Sequence, residues 1–200
     1  MSKQDSLEAI KSYMQENKTI MQYYYEDGAS WFASKSYNPF SLADTYVMSA
    51  DLIINEAKNY DLDDIIASPV IFLYRHATEL YIKQILEQLN TEAFKTHNIK
   101  KLYNELEKEL KKIAKNKNLK ISSLLPDKQT FKSILEFDSI SPKSDELRYS
   151  DSEILDSKNI TLFLNFKNAQ YHANNINKYF KNLEKKLELL GFPKKYGFKD

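Results

Sequence analysis

The sequence predicts an all-α protein, a bundle of about five to seven helices built around one long central helix and one long C-terminal helix. Three observations carry this. Three glycines and five prolines in 200 residues are too few for a turn-rich β fold. Apolar residues recur three and four positions apart over most of the chain, the period of one face of a helix. Helix punctuation also recurs, in Asn38-Pro39, in Ser68-Pro69 and in Gly191 with Pro193 behind it.

In chain order, the first helix is expected behind Asp5 or Ser6, with Leu7, Ile10, Met14, Met21 and Tyr24 inward and Gly28 as its stop. The aromatics Tyr23, Tyr24, Tyr25, Trp31 and Phe32 would suit base stacking, but their spacing suits a helical core better. Asn38-Pro39 opens a second helix bearing Phe40, Ala43, Val47, Ala50, Ile54 and Ala57, small enough for close packing. The polar run Asp61 to Asp64 then connects to the central helix, expected from Pro69 to about Asn90. Its first turns, Val70 to Tyr74, are apolar on all sides, so the helix should be surrounded by the others.

Thr96 is a candidate cap for the next helix, with Ile99, Leu102, Tyr103, Leu106, Leu110 and Ile113 in one stripe and Asn116 to Asn118 as the break. A short helix follows Pro126-Asp127 with Phe131, Ile134 and Leu135 inward, and Phe137 to Asp156 reads as a long acidic loop. The last helix ends at Leu190 and places Ala169, His172, Ile176, Tyr179, Phe180, Leu183 and Leu187 on one face. Its start is ambiguous, because Ile160, Leu162, Leu164 and Phe166 alternate as a strand would. The organisation expected is one domain: an N-terminal helical segment over 1–36, a bundle core over 37–191 and a tail over 192–200.

The chain has no cysteine, which removes disulfides, thiolate metal sites and a cysteine nucleophile together. Met1 to Glu8 is polar and no apolar run is long enough to span a bilayer, so a cytoplasmic protein with no membrane partner is expected. The formal charge is +1, from 29 basic and 28 acidic residues, so nucleic-acid binding would depend on a local patch. Lys95 to Lys120 is rich in lysine, and Asp138 to Asp156 is acidic.

The candidate chemistry lies on the central helix. With Arg75 at zero, Glu79 falls at about 40°, Lys83 at about 80°, His76 at about 100° and Glu87 at about 120°, forming one polar stripe. Opposite charges four residues apart pair along it, so it is either a salt-bridged seam or one wall of a polar cleft. His76, His97 and His172 are the only histidines, and none is spaced as a zinc motif. Arg75 and Arg148 are the only arginines in a chain that otherwise uses lysine, and a guanidinium's planar fork suits phosphate or carboxylate. No cofactor and no metal are expected.

Leu73 to Lys83, Thr96 to Leu102 and Glu146 to Asp151 together resemble the HEPN superfamily (higher eukaryotes and prokaryotes nucleotide-binding). In that group an arginine-histidine-x-x-glutamate helix, a histidine-polar-leucine helix start and an arginine-tyrosine loop recur in this order. The resemblance covers roughly residues 40 to 190. It implies a helical bundle, often dimeric, in which many members are metal-independent ribonucleases of toxin-antitoxin and phage-defence systems. It further implies RNA or a nucleotide-bearing partner, a second copy of the chain or a protein from the same operon as partners. The superfamily's catalytic signature, an arginine followed after four to six residues by histidine, is absent: Leu80, Tyr81 and Ile82 stand there after Arg75, and Glu153, Ile154 and Leu155 after Arg148. The candidate catalytic residues are Arg75, His76, Glu79, His97 and Arg148, with a histidine as acid-base group, an arginine on the phosphate and Glu79 orienting it. The rival reading is a non-catalytic module that dimerises through its long helices. Tyr23, Tyr25 and Tyr46 are candidate contact residues for a homodimer.

Overall fold

The computed structural model describes residues 39–57, 63–91, 96–140 and 165–194. The expected N-terminal helix, the stretch from 141 to 164 with Arg148, and Tyr23 and Tyr25 lie outside the described residues. The rest is all-helical: α1 (Pro39–Ala57), α2 (Asp63–Gln88), α3 (Ile99–Asn116), α4 (Lys128–Ile140) and α5 (Phe166–Leu189), with a single 3₁₀ turn at Ile121–Ser123 and no strand among the described residues. None of these helices is long and apolar enough to cross a membrane.

Helix α2 packs against each of the other four, as its all-round apolar first turns require. On α1 the buried positions are Ala43, Val47, Ala50, Ile54 and Ala57, alternately four and three apart, and the alanines let the backbones of α1 and α2 approach closely. Helix α3 buries Ile99, Leu102, Tyr103, Leu106, Leu110 and Ile113 as a single stripe while its lysines and glutamates stay outside. Helix α5 contributes Ala169, Ala173, Ile176, Phe180, Leu183 and Leu187, with His172 and Tyr179 half-buried beside them.

Four local expectations are corrected. Helix α2 begins at Asp63, six residues before Pro69, so Ser68-Pro69 sits inside a helix rather than at its start. A proline there forfeits one backbone hydrogen bond. The turn ahead of it persists because Ile66 is buried in the core. The cap of α3 is Asn98, whose side chain accepts from the Lys101 amide at 2.7 Å, whereas Thr96 Oγ1 only accepts from the Asn98 amide. Phe131 is partly exposed and leans on the Tyr103 ring. Phe137, expected to open an acidic loop, is instead buried in α4 against Tyr74, and the helix continues to Ile140.

Helices α2, α3 and α5 all stop on a residue in the left-handed region: Asn90 (φ 58°), Asn118 (φ 53°) and Gly191 (φ 92°). In each case the next amide reaches back into the last turn, from Thr91 to Leu86, from Leu119 to Ala114 and from Phe192 to Leu187.

A buried carboxylate holding an exposed histidine

The polar stripe of α2 folds into a closed cluster around Glu79. Its carboxylate is 1% exposed and so needs partners for its charge. Lys83 Nζ donates to Oε1 at 2.7 Å from one turn further on, and His97 Nδ1 lies 2.9 Å from the same oxygen. Arg75 Nη1 stands 3.5 Å from Oε2, one turn earlier. Arg75 is itself 1% exposed, and its Nη2 donates to the His97 carbonyl at 2.7 Å. The two buried charges therefore grip one residue from both sides, the carboxylate holding its ring and the guanidinium its backbone.

His97 precedes α3, and the start of that helix fixes its position. Asn98 caps the first turn, and Asp138 Oδ1 at the end of α4 accepts from the Ile99 amide at 2.9 Å. The side chain of His97 is 63% exposed. A carboxylate can only accept, so Nδ1 carries the proton and donates it to Glu79, leaving Nε2 as the acceptor. Fixed tautomer, fixed ring and an accessible acceptor nitrogen are what a general base requires.

Of the five residues expected at a site, the structure brings together Arg75, Glu79 and His97, with Lys83 beside them. His76 lies near that cluster but forms ring contacts in place of a hydrogen bond to it. Its ring sits edge-on to Tyr46 at 4.7 Å between centroids and stacks on Phe72 at 5.8 Å. Burial pushes its pKa below the ordinary value; Glu79 partly counters this, and the positive charges of Lys83 and Arg75 add to the lowering. His76 is thus a neutral aromatic wedge between α1 and α2. Arg148 lies outside the described residues. His172 is hydrogen-bonded within the bundle, its Nδ1 2.7 Å from Ser133 Oγ, which also donates to the Gln129 carbonyl.

Asp138 was missed as part of this site. The signal was present, because Ile134, Phe137 and Asp138 continue the helical spacing of α4, but the acidic character of the following residues masked it. Among the described residues no three His, Asp or Glu side chains gather as a metal site. No protein-family model matches the chain, and neither does any curated protein or any solved structure.

Proposed function

We propose that this chain is a HEPN-like helical protein that binds RNA and cleaves it without a metal ion, with His97 as its acid-base group. The observation behind the reading is the exposed His97 ring held through Nδ1 by the buried carboxylate of Glu79. In this scheme Nε2 takes the proton of a ribose 2′-hydroxyl, whose oxygen forms a bond to the adjacent phosphorus as the bond from phosphorus to the 5′-oxygen breaks. The imidazolium then returns the proton to that leaving oxygen. The products are a 2′,3′-cyclic phosphate and a 5′-hydroxyl.

Local charge supports the substrate class where net charge does not. Lys100 and Lys101 are exposed in the first turn of α3, directly after the histidine, and Lys83 is partly exposed beside Glu79. The Ile99 and Lys101 amides are already taken by Asp138 and Asn98, so lysine side chains rather than those amides would meet the phosphates. Arg75, expected on the phosphate, becomes a positioning residue, since it is buried and bound to the His97 carbonyl. On the resemblance, such an activity would belong to a bacterial defence or toxin system.

The test is metal-free cleavage of single-stranded RNA by the full chain, in chelator, with the ends identified by mass spectrometry. His97→Ala should reduce the rate by about 10² to 10⁴ and lower the melting temperature only modestly, because Lys83 still donates to the same Glu79 oxygen. Wild-type protein that neither binds nor cuts RNA would support the second reading, a non-catalytic interaction module. That reading is favoured by one observation: Arg75 and Glu79 are buried where they anchor the α2 to α3 connection, a structural duty that needs no substrate.

A further inference from the structure

Away from the Glu79 cluster, a polar cleft of about 400 Å³ runs between α5 and the segment that joins α3 to α4. Its wall on α5 is a stripe, Tyr171, Asn175, Lys178, Asn182 and Lys186, spaced four, three, four and four residues apart and therefore on one helix face. Tyr171 is 58% exposed, with its ring at the cleft edge. Asn175 and Asn182 have no hydrogen-bond partner for their amides among the described residues, and Lys178 pairs with no carboxylate among them. Lys186 is held in place, donating to the Ser123 carbonyl at 2.8 Å across the cleft. Tyr179 forms part of the floor, its hydroxyl donating to the Leu124 carbonyl at 3.0 Å, so the two walls are tied together. The one carboxylate in the lining, Asp127, is committed to the start of α4: its two oxygens accept from the Thr130 amide and hydroxyl, which hold its pKa below the ordinary carboxylate value.

We propose that this cleft is a second binding site, for a ligand carrying a nucleobase and a phosphate, with Tyr171 as the stacking surface, Lys178 as the phosphate contact and the Asn175 and Asn182 amides as partners for base or sugar edges. Tyr171 and Lys178 are about 10 Å apart along the helix axis, room for a base, its sugar and a phosphate. The volume lies within the range of small-ligand sites. An exposed aromatic, with amides and a cation that have no partner among the described residues, on one rigid helix also suits such a ligand better than an acidic peptide, which has no use for a stacking ring. The chemistry is shared by free nucleotides and by single-stranded RNA. The inference does not rest on cleavage at His97, since the residues are different.

The test is a binding titration of the full chain with a nucleoside monophosphate and, separately, with an octanucleotide RNA, repeated for Tyr171→Ala, Lys178→Gln and His97→Ala. Tyr171→Ala should weaken binding about 5- to 150-fold, the range found for loss of one stacked base. Lys178→Gln should weaken it and reduce the salt dependence by about one phosphate contact. His97→Ala should leave binding at this cleft intact even where cleavage is lost. Monophosphate binding that responds to both cleft variants assigns a nucleotide site, and octanucleotide binding alone that responds to them assigns a strand-anchoring site. No binding of either ligand, binding indifferent to Tyr171 and Lys178, or preference for an acidic peptide over both ligands would overturn the proposal.

Discussion

The two polar faces of α2 solve the same problem in opposite ways. On one, Tyr74 and Tyr81 send their hydroxyls to Asp51 and Asp44 of α1 at 2.5 Å each, and the aspartates are completed by Gln170 and Lys181 of α5. On the other, Arg75 and Glu79 bury formal charge and complete it with Lys83 and with His97, whose ring reaches into solvent. The tyrosine face ends in contacts among three helices of the bundle. The charged face ends on a titratable group that a ligand can reach, which is why the proposed chemistry rests there and the other face is read as packing.

The largest effect should come from breaking the charged face at its centre. Glu79→Ala leaves Arg75 buried without its carboxylate, and loss of one partner from a buried pair costs about 3 to 5 kcal/mol. Denaturant unfolding measures it. The same variant frees the His97 ring, so any cleavage activity should fall with stability, whereas His97→Ala should separate the two. A loss below about 1 kcal/mol would mean that the cluster is solvated and that the contrast between the two faces does not hold.

What the sequence made legible follows from how local each cause is. The body of α3 could be read, since its stripe, its break at Asn116 and its exposed charges are all set by neighbours within one turn, whereas its cap is Asn98 and not the expected Thr96. The stripe Arg75, Glu79, Lys83 was legible for the same reason. The approach of His97 to Glu79 was suggested only by the family-like order, because it depends on how α3 returns against α2. The start of α2 was misread because a proline signal is local while the burial of Ile66 that overrides it is tertiary. The reach of α4 to Asp138 was hidden likewise, as its reward is a hydrogen bond to the first turn of a different helix. The tyrosine rungs left no sequence signal beyond matching seven-residue spacings, 44 to 51 and 74 to 81.

A smaller effect concerns pH and the border between the faces. Burial lowers the pKa of His76, so below the ordinary histidine value the unfolded chain binds a proton that the folded chain resists. Stability contributed by neutral His76 is therefore present above about pH 6.5, the unperturbed value, and is lost as pH falls below it. Replacing His76 with phenylalanine keeps the ring between Tyr46 and Phe72 and should flatten this acid limb. An unchanged slope between wild type and His76→Phe would show that the limb belongs to other groups.

The smallest effects should come from the tyrosine face, and their additivity tests whether it is only a packing device. Tyr74→Phe and Tyr81→Phe each remove one hydroxyl while Gln170 or Lys181 still serves the aspartate, so each should cost about 1 kcal/mol. The rungs stand two turns apart, about 10 Å along α2, and share no partner, so the double variant should lose the sum to within about 0.5 kcal/mol. Their pH signature has the opposite sign to that of His76. Burial, with each aspartate adding to it, raises both phenol pKa values, so above about pH 10 the unfolded chain releases protons that the folded chain retains. Stability is complete below that pH and falls above it. Both single variants should reduce the alkaline loss, and RNA cleavage at neutral pH should be unaffected by either. Coupling well beyond additivity, or a cleavage defect in Tyr81→Phe with stability preserved, would join the two faces into one functional unit and remove the distinction drawn between them.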